Sequence, residues 1–167
     1  MRFSPHLTPR EMLLKGVFGG NYFAQTILSK EVFSSWFGDL ESSLYRSSTY
    51  KIEINHFNIR AGQNLQEWAA NGWIHPDDPN GWFEWYCKYH AGRRHEDDSR
   101  QIKRWNAFCG PNGRWKNIIY AKIHSYGKSF AYSREVSPRI QQSLLHWSYL
   151  VNEKDYLNWC ESRAIGH

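Results

Sequence analysis

Branched aliphatic side chains and cysteine are what this chain has little of. Val, Leu and Ile together supply 26 of its 167 residues, fewer than the 28 contributed by Phe, Trp and Tyr. The three cysteines, Cys87, Cys109 and Cys160, are odd in number and widely spaced. That pattern argues against a disulfide framework and for a reducing compartment. No run approaches the ~18 apolar residues of a spanning helix, and the opening stretch MRFSPHLTPREML has no apolar signal core. A soluble intracellular protein, cytoplasmic or nuclear and without a membrane partner, is therefore expected. Walker A, GxGxxG and GxSxG patterns are absent, which leaves nucleotide, dinucleotide and hydrolase-elbow chemistry unsupported. Cys87, His90 and His95, with Cys109, have a loosely ligand-like spacing. Without CxxC, HExxH or the deaminase signature, the expectation is no metal and no cofactor.

What the chain does have is rings interleaved with charge. Residues 72–105 read GWIHPDDPNGWFEWYCKYHAGRRHEDDSRQIKRW, with Trp68 just ahead. Such alternation suits a surface that stacks flat groups beside an anionic backbone. Charge is also segregated. Between Ser99 and Arg139 there are nine basic residues and one acid, Glu135, a local net charge of +8; the rest of the chain carries 12 basic and 15 acidic residues. A basic face for a polyanion follows, with nucleic acid ahead of membrane or acidic protein, and DNA ahead of RNA.

Length fits one domain, residues 1–167, and helix signals dominate, so the expected fold is mainly α: short helices around an aromatic-rich core. Thr8-Pro9-Arg10-Glu11 reads as a capping box with proline at the first helical position, opening a helix through Val17 that Gly19-Gly20 stops. Further helices are expected over Lys30–Phe37, Asn64–Ala70, Gly81–Ala91, Asp98 to about Cys109, Arg114–Tyr126, Pro138–Val151 and Asn152 to about Arg163. Tyr50–Phe57 alternates apolar and polar residues and predicts one short strand or hairpin.

Four constellations carry chemistry. His75–Asp78 and His95–Asp98 repeat a His-x-Asp-Asp motif before a helix. Capping explains one or two acids there; the carboxylates to spare suit acid–base work or the steadying of a cation, so Asp77 and Asp78 are the candidate catalytic residues. Trp82, Trp85, Tyr86 and Tyr89 form one stripe of a helix that is apolar nearly all round. It is either a buried core element or the wall of a pocket, with Trp82 and Trp85 as stacking rings. Arg93, Arg94, Arg100, Lys103 and Arg104 form a cationic cluster fit to hold phosphates, the last three on one helical face. Gly19-Gly20-Asn21-Tyr22 is either a plain helix stop or a turn that lets a ligand approach, with Asn21 reading a base edge and Tyr22 stacking on it.

Three blocks, TPREMLLKGVFGGNYF (8–23), residues 72–105 and SPRIQQSLLHWSYL (137–150), resemble an uncharacterised protein family found across bacteria, fungi and algae. The resemblance implies only that the blocks belong to one domain; it brings no activity, substrate or site residue. The chemistry leads to a nucleic-acid-binding protein that accommodates an unstacked or modified base. As an enzyme it would be a metal-independent, DNA glycosylase-like hydrolase. A non-catalytic DNA- or RNA-binding module, and a small-molecule enzyme or sensor with an aromatic pocket, are the alternatives.

Overall fold

A computed structural model describes residues 2–62 and 65–164. Among the described residues eight α-helices follow one another: α1 Pro9–Leu14, α2 Lys30–Phe37, α3 Leu65–Ala70, α4 Trp82–His90, α5 Asp98–Cys109, α6 Arg114–Tyr126, α7 Pro138–Leu145 and α8 Glu153–Glu161. Short 3-10 helices lie at Ser42–Leu44, Ile52–Ile54 and Phe130–Glu135, and there is no strand among the described residues.

Local chemistry explains most of the boundaries. Thr8 and Glu11 close the expected capping box, with Pro9 at the first helical position. These hydrogen bonds to Thr8 hold the Glu11 carboxyl below its usual range. The helix stops at Leu14 rather than Val17 because Gly16 turns left-handed, φ +61°. A Cβ there would lie 1.9 Å from the Ile54 carbonyl oxygen, so only glycine lets the two backbones meet. Gly127 closes α6 in the left-handed region. Helix α7 ends at Leu145, short of the expected Val151, because the chain reverses to meet the amino-terminal segment. His6 N–H donates to the Ser148 carbonyl at 2.8 Å, and the Ser148 hydroxyl donates to the Leu7 carbonyl at 2.6 Å.

The strand expected over Tyr50–Phe57 does not form. A lone strand leaves its backbone groups unpaired, and here the chain turns instead around Asn55. The buried Asn55 amide donates to the Tyr50 hydroxyl and the Ile59 carbonyl, both at 2.6 Å, and accepts from the N–H groups of Phe57 and Ile59.

Helix α4 is the central element, with Trp82 through Cys87 all buried. Phe83 packs against Phe18, Tyr22, Phe23 and Phe37 on one side. Trp82 packs against Trp85, Tyr86 and Trp147 on the other. With so few aliphatics available, the rings supply the buried area and the directional contacts together.

Phe83→Ala should therefore cost about 3–5 kcal/mol. Urea unfolding followed by tryptophan fluorescence should show a lower midpoint with an unchanged slope.

Candidate functional site

The two His-x-Asp-Asp motifs fold into the same turn, one on each side of α4. In each, the backbone N–H two residues on donates to the histidine Nδ1, at 3.2 Å for Asp77 on His75 and 3.2 Å for Asp97 on His95. In each, the N–H three residues on donates to the histidine carbonyl, at 3.0 Å and 3.1 Å. The expected capping does not occur: neither Asp97 nor Asp98 accepts from the N–H groups that open α5. The carboxylates are used elsewhere.

Asp78 is fully enclosed, 0 % exposed. Arg93 donates to its Oδ2 at 2.6 Å, and the Lys88 ammonium lies 3.0 Å from its Oδ1. Lys88 also bridges to the buried Glu84 at 2.7 Å and donates to the Asp77 carbonyl at 2.6 Å. Glu84 in turn accepts the backbone and side-chain N–H groups of Asn80, at 2.8 and 2.9 Å. Two acids and two bases thus neutralise one another beneath the 75–81 turn. Asp98 accepts from the indole of Trp85 at 2.8 Å and from the His95 N–H at 2.9 Å. Asp97 is held by Arg100 through two bonds, 2.5 and 2.8 Å, and by Gln101 at 2.8 Å. Despite burial, these bonds keep the Asp97 carboxyl below its usual range.

Asp77 differs from all of these. It is 61 % exposed, and its carboxylate pairs with no Lys or Arg side chain among the described residues. It faces two imidazoles instead: His95 Nε2 at 2.9 Å and His75 Nδ1 at 3.9 Å. The two rings stand edge to face, centroids 5.1 Å apart. Among the described residues, His75, Asp77 and His95 alone place three potential metal-ligand atoms within 4.8 Å of one another. The spacing of Cys87, His90, His95 and Cys109 builds no such group; Cys87 and Cys109 are buried, and burial pushes both thiols up.

The candidate stacking residues lie mostly inside. Trp82 and Trp85 are 2 % and 0 % exposed, so neither ring offers a face to a base. Tyr22 is half-buried; its hydroxyl donates to the Asn80 carbonyl and accepts from the Phe83 N–H at 3.3 Å, and burial pushes the phenol up. Asn21 is half-buried, and the glycine turn ahead of it is filled by the protein itself. A Cβ on Gly19 would meet the Tyr50 ring at 2.6 Å.

The candidate phosphate ligands are largely spent as well. Arg93 belongs to Asp78, and Arg94 lies over the Tyr89 ring at 4.1 Å. Arg100 belongs to Asp97. Arg104 sits among Trp68, Trp73 and Trp147, 5.0–5.5 Å from their centroids, and its desolvation lowers its pKa to about 10. Lys103 remains exposed, with no ion pair among the described residues.

The cations still open lie mostly further along. On α6, Arg114 and Lys122 are exposed and carry no ion pair among the described residues, and neither does Arg139 on α7. Beyond α6, the Lys128 ammonium sits 4.8 Å from the Tyr126 ring centroid and 5.2 Å from that of Tyr132. Both rings are open, 42 % and 49 % exposed. Tyr126 and Lys122 line a shallow groove of about 600 Å³ whose remaining walls are Ile118, Ala121, Ser125, Val136 and Ser137. Glu135 tempers the charge, accepting from the Tyr126 hydroxyl at 3.0 Å and lying 4.0 Å from Lys128. Lys122 and Lys128 belong to the basic segment that the sequence singled out, but Tyr126 and Tyr132 did not stand out there, because the densest ring stretch drew attention to the core instead.

Comparison with protein-family models, with curated proteins and with solved structures finds no match to this chain. No helix among the described residues is long and apolar enough to cross a membrane.

Removing one partner of a buried ion pair costs about 3–5 kcal/mol. Asp78→Ala should therefore lower Tm by roughly 10 °C, whereas Asp77→Asn should leave it within a few degrees. Thermal unfolding of the two variants followed by circular dichroism separates the roles.

Proposed function

We infer that this protein is a non-catalytic nucleic-acid-binding module that takes single strands across the outer face of α6. The observation that carries this reading is the pair of open tyrosines, Tyr126 and Tyr132, flanking the Lys128 ammonium. Exposed rings beside cations are what a stacking platform requires, and Glu135, 4.0 Å from Lys128, offsets only part of the local positive charge. Arg114 and Lys122 on the same exposed arc of α6 supply phosphate contacts, and the shallow groove admits a strand without asking for a deep pocket. Duplex readout has less support, because the groove presents short side chains such as Ala121 and Ser125 where base-edge contacts would be needed.

Base excision remains a second reading, supported by the exposed Asp77 carboxylate facing two imidazoles. In that reading Asp77 is the catalytic residue and Asp78 the residue that fixes its loop. Abasic-site formation on modified-base strands, lost in Asp77→Asn without loss of binding, would favour it over the module.

Fluorescence anisotropy of a labelled single-stranded oligonucleotide should show binding that weakens with salt, with a slope of about −2 to −3 for three or four neutralised phosphates. Tyr126→Ala and Tyr132→Ala should each cost about 1–3 kcal/mol, and Lys122→Glu should flatten the salt slope. Absence of binding at low salt, or tyrosine variants that bind as tightly as the parent, overturns the reading.

A further inference from the structure

We propose that His75, Asp77 and His95 form a binding site for a divalent first-row transition ion, with Zn²⁺ as its representative. The site does not depend on the α6 face.

Two turns of the same backbone form differ in what surrounds their first acid. Each His-x-Asp-Asp turn carries an acid two residues after its histidine. In the second turn that acid, Asp97, is neutralised by Arg100 and Gln101. In the first, the equivalent Asp77 has only imidazoles opposite it. The donors are 2.9 and 3.9 Å from the shared carboxylate oxygen. Ligands around an ion bound at about 2.0–2.2 Å stand roughly 3.0–3.5 Å apart; the two carboxylate distances bracket that range and all three ligand atoms lie within 4.8 Å of one another, so side-chain shifts of about an ångström close the site. Two imidazoles and one carboxylate are borderline ligands, suited to zinc and its neighbours rather than to calcium or magnesium. The exposure of Asp77 leaves the outer side of the ion to water, so three protein ligands and open positions describe the site.

The supporting shell fits. Asp78, locked by Lys88 and Arg93, fixes the backbone that carries Asp77, and the Lys88 bond to the Asp77 carbonyl holds the same peptide. Asp98 accepts from the His95 N–H and is itself held by Trp85. Both histidines are thus presented by anchored backbone. Proton placement also has a definite consequence. With Nδ1 of His95 accepting from the Asp97 N–H, the neutral ring carries its proton on Nε2 and donates it to Asp77. An ion bound at Nε2 displaces that proton. The neutral ring then keeps a proton on Nδ1, and the long 3.2 Å contact from Asp97 gives way.

Full-length protein stripped with a chelator and titrated with Zn²⁺ in a calorimeter should bind one ion per chain, saturably. Asp77→Asn and His95→Gln should each weaken binding by roughly tenfold or more, while His90→Gln, which removes an exposed histidine outside the turns, should not. In the unmodified protein, NMR should show that of the eight histidines His75 and His95 are the ones whose ring resonances Zn²⁺ shifts. That measurement decides the matter if a variant fails to fold. Absence of saturable binding, undiminished affinity in both ligand variants, or shifts confined to other histidines would each overturn the proposal.

Discussion

The buried ion network at the start of α4 is the constraint on which the rest of this structure depends. Asp78 and Glu84 are enclosed in a region otherwise built of rings, and each would be costly there alone. Lys88 and Arg93 reach in from the end of α4 and the loop beyond it, so that two negative and two positive groups cancel. Such a network adds little net stability compared with an apolar filling, because desolvation offsets most of the attraction. Its effect is geometric. Asp78 lies before the helix and Arg93 after it, so their bond ties the two loops that flank α4 to each other. The 75–81 and 91–97 turns, and everything they present, inherit their relative position from that bond.

Around this polar centre the protein solves a second problem, which is how to build a core when aliphatic side chains are scarce. Rings cover the area, and their polar tips find partners that direct the packing. The Trp105 indole donates to the Trp147 carbonyl at 2.8 Å, and the Tyr86 hydroxyl donates to the Leu7 carbonyl at 2.6 Å. Tyr120, Tyr149 and Asp155 form a hydrogen-bonded chain, with 2.7 and 2.6 Å between oxygens. Burial pushes the Tyr86, Tyr120 and Tyr149 phenols up, which keeps them protonated and donating. Each bond fixes a ring's orientation as a methyl contact does not, so the core is specified by direction as well as by volume.

This explains what was legible in the sequence and what was not. Helix α6 could be read at both ends because Gly113 and Gly127 punctuate it, and α2 because Ser29 caps it and Gly38 ends it. Such signals are local, and local chemistry decides them. The alternation over Tyr50–Phe57 was equally local, but a strand needs a partner, and none of the described residues supplies one; the Asn55 side chain won the competition for the backbone. Site residues were the least legible. Ring density drew attention to Trp82 and Trp85, yet rings are densest where the core is densest, so the same signal that suggested stacking marked burial. Tyr126 and Tyr132 stand in a sparser stretch, and the cue that separates them from core rings is their place inside the +8 segment beside Lys128. Likewise, nothing within the motif around Asp78 announces that its partners lie 10 and 15 positions away.

One distinction was written locally all along. The two turns read His-Pro-Asp-Asp-Pro-Asn from position 75 and His-Glu-Asp-Asp-Ser-Arg from position 95. Three residues beyond the first acid of each motif stands Asn80 in one and Arg100 in the other. Arg100 reaches back to Asp97 and neutralises it. Asn80 has no charge to offer Asp77, and its side chain turns inward to Glu84 and to the Thr26 hydroxyl. The backbone turn is the same, and so is the orientation of its histidine, so the residue three positions on separates an acid neutralised by a guanidinium from one that faces only imidazoles. Had position 80 carried a cation, the His75–Asp77–His95 group would be an ordinary ion pair with two bystander rings. Asp77 is available because the residue that neutralises its counterpart is missing from its own turn, and any role for the cluster has to begin from that one uncompensated charge.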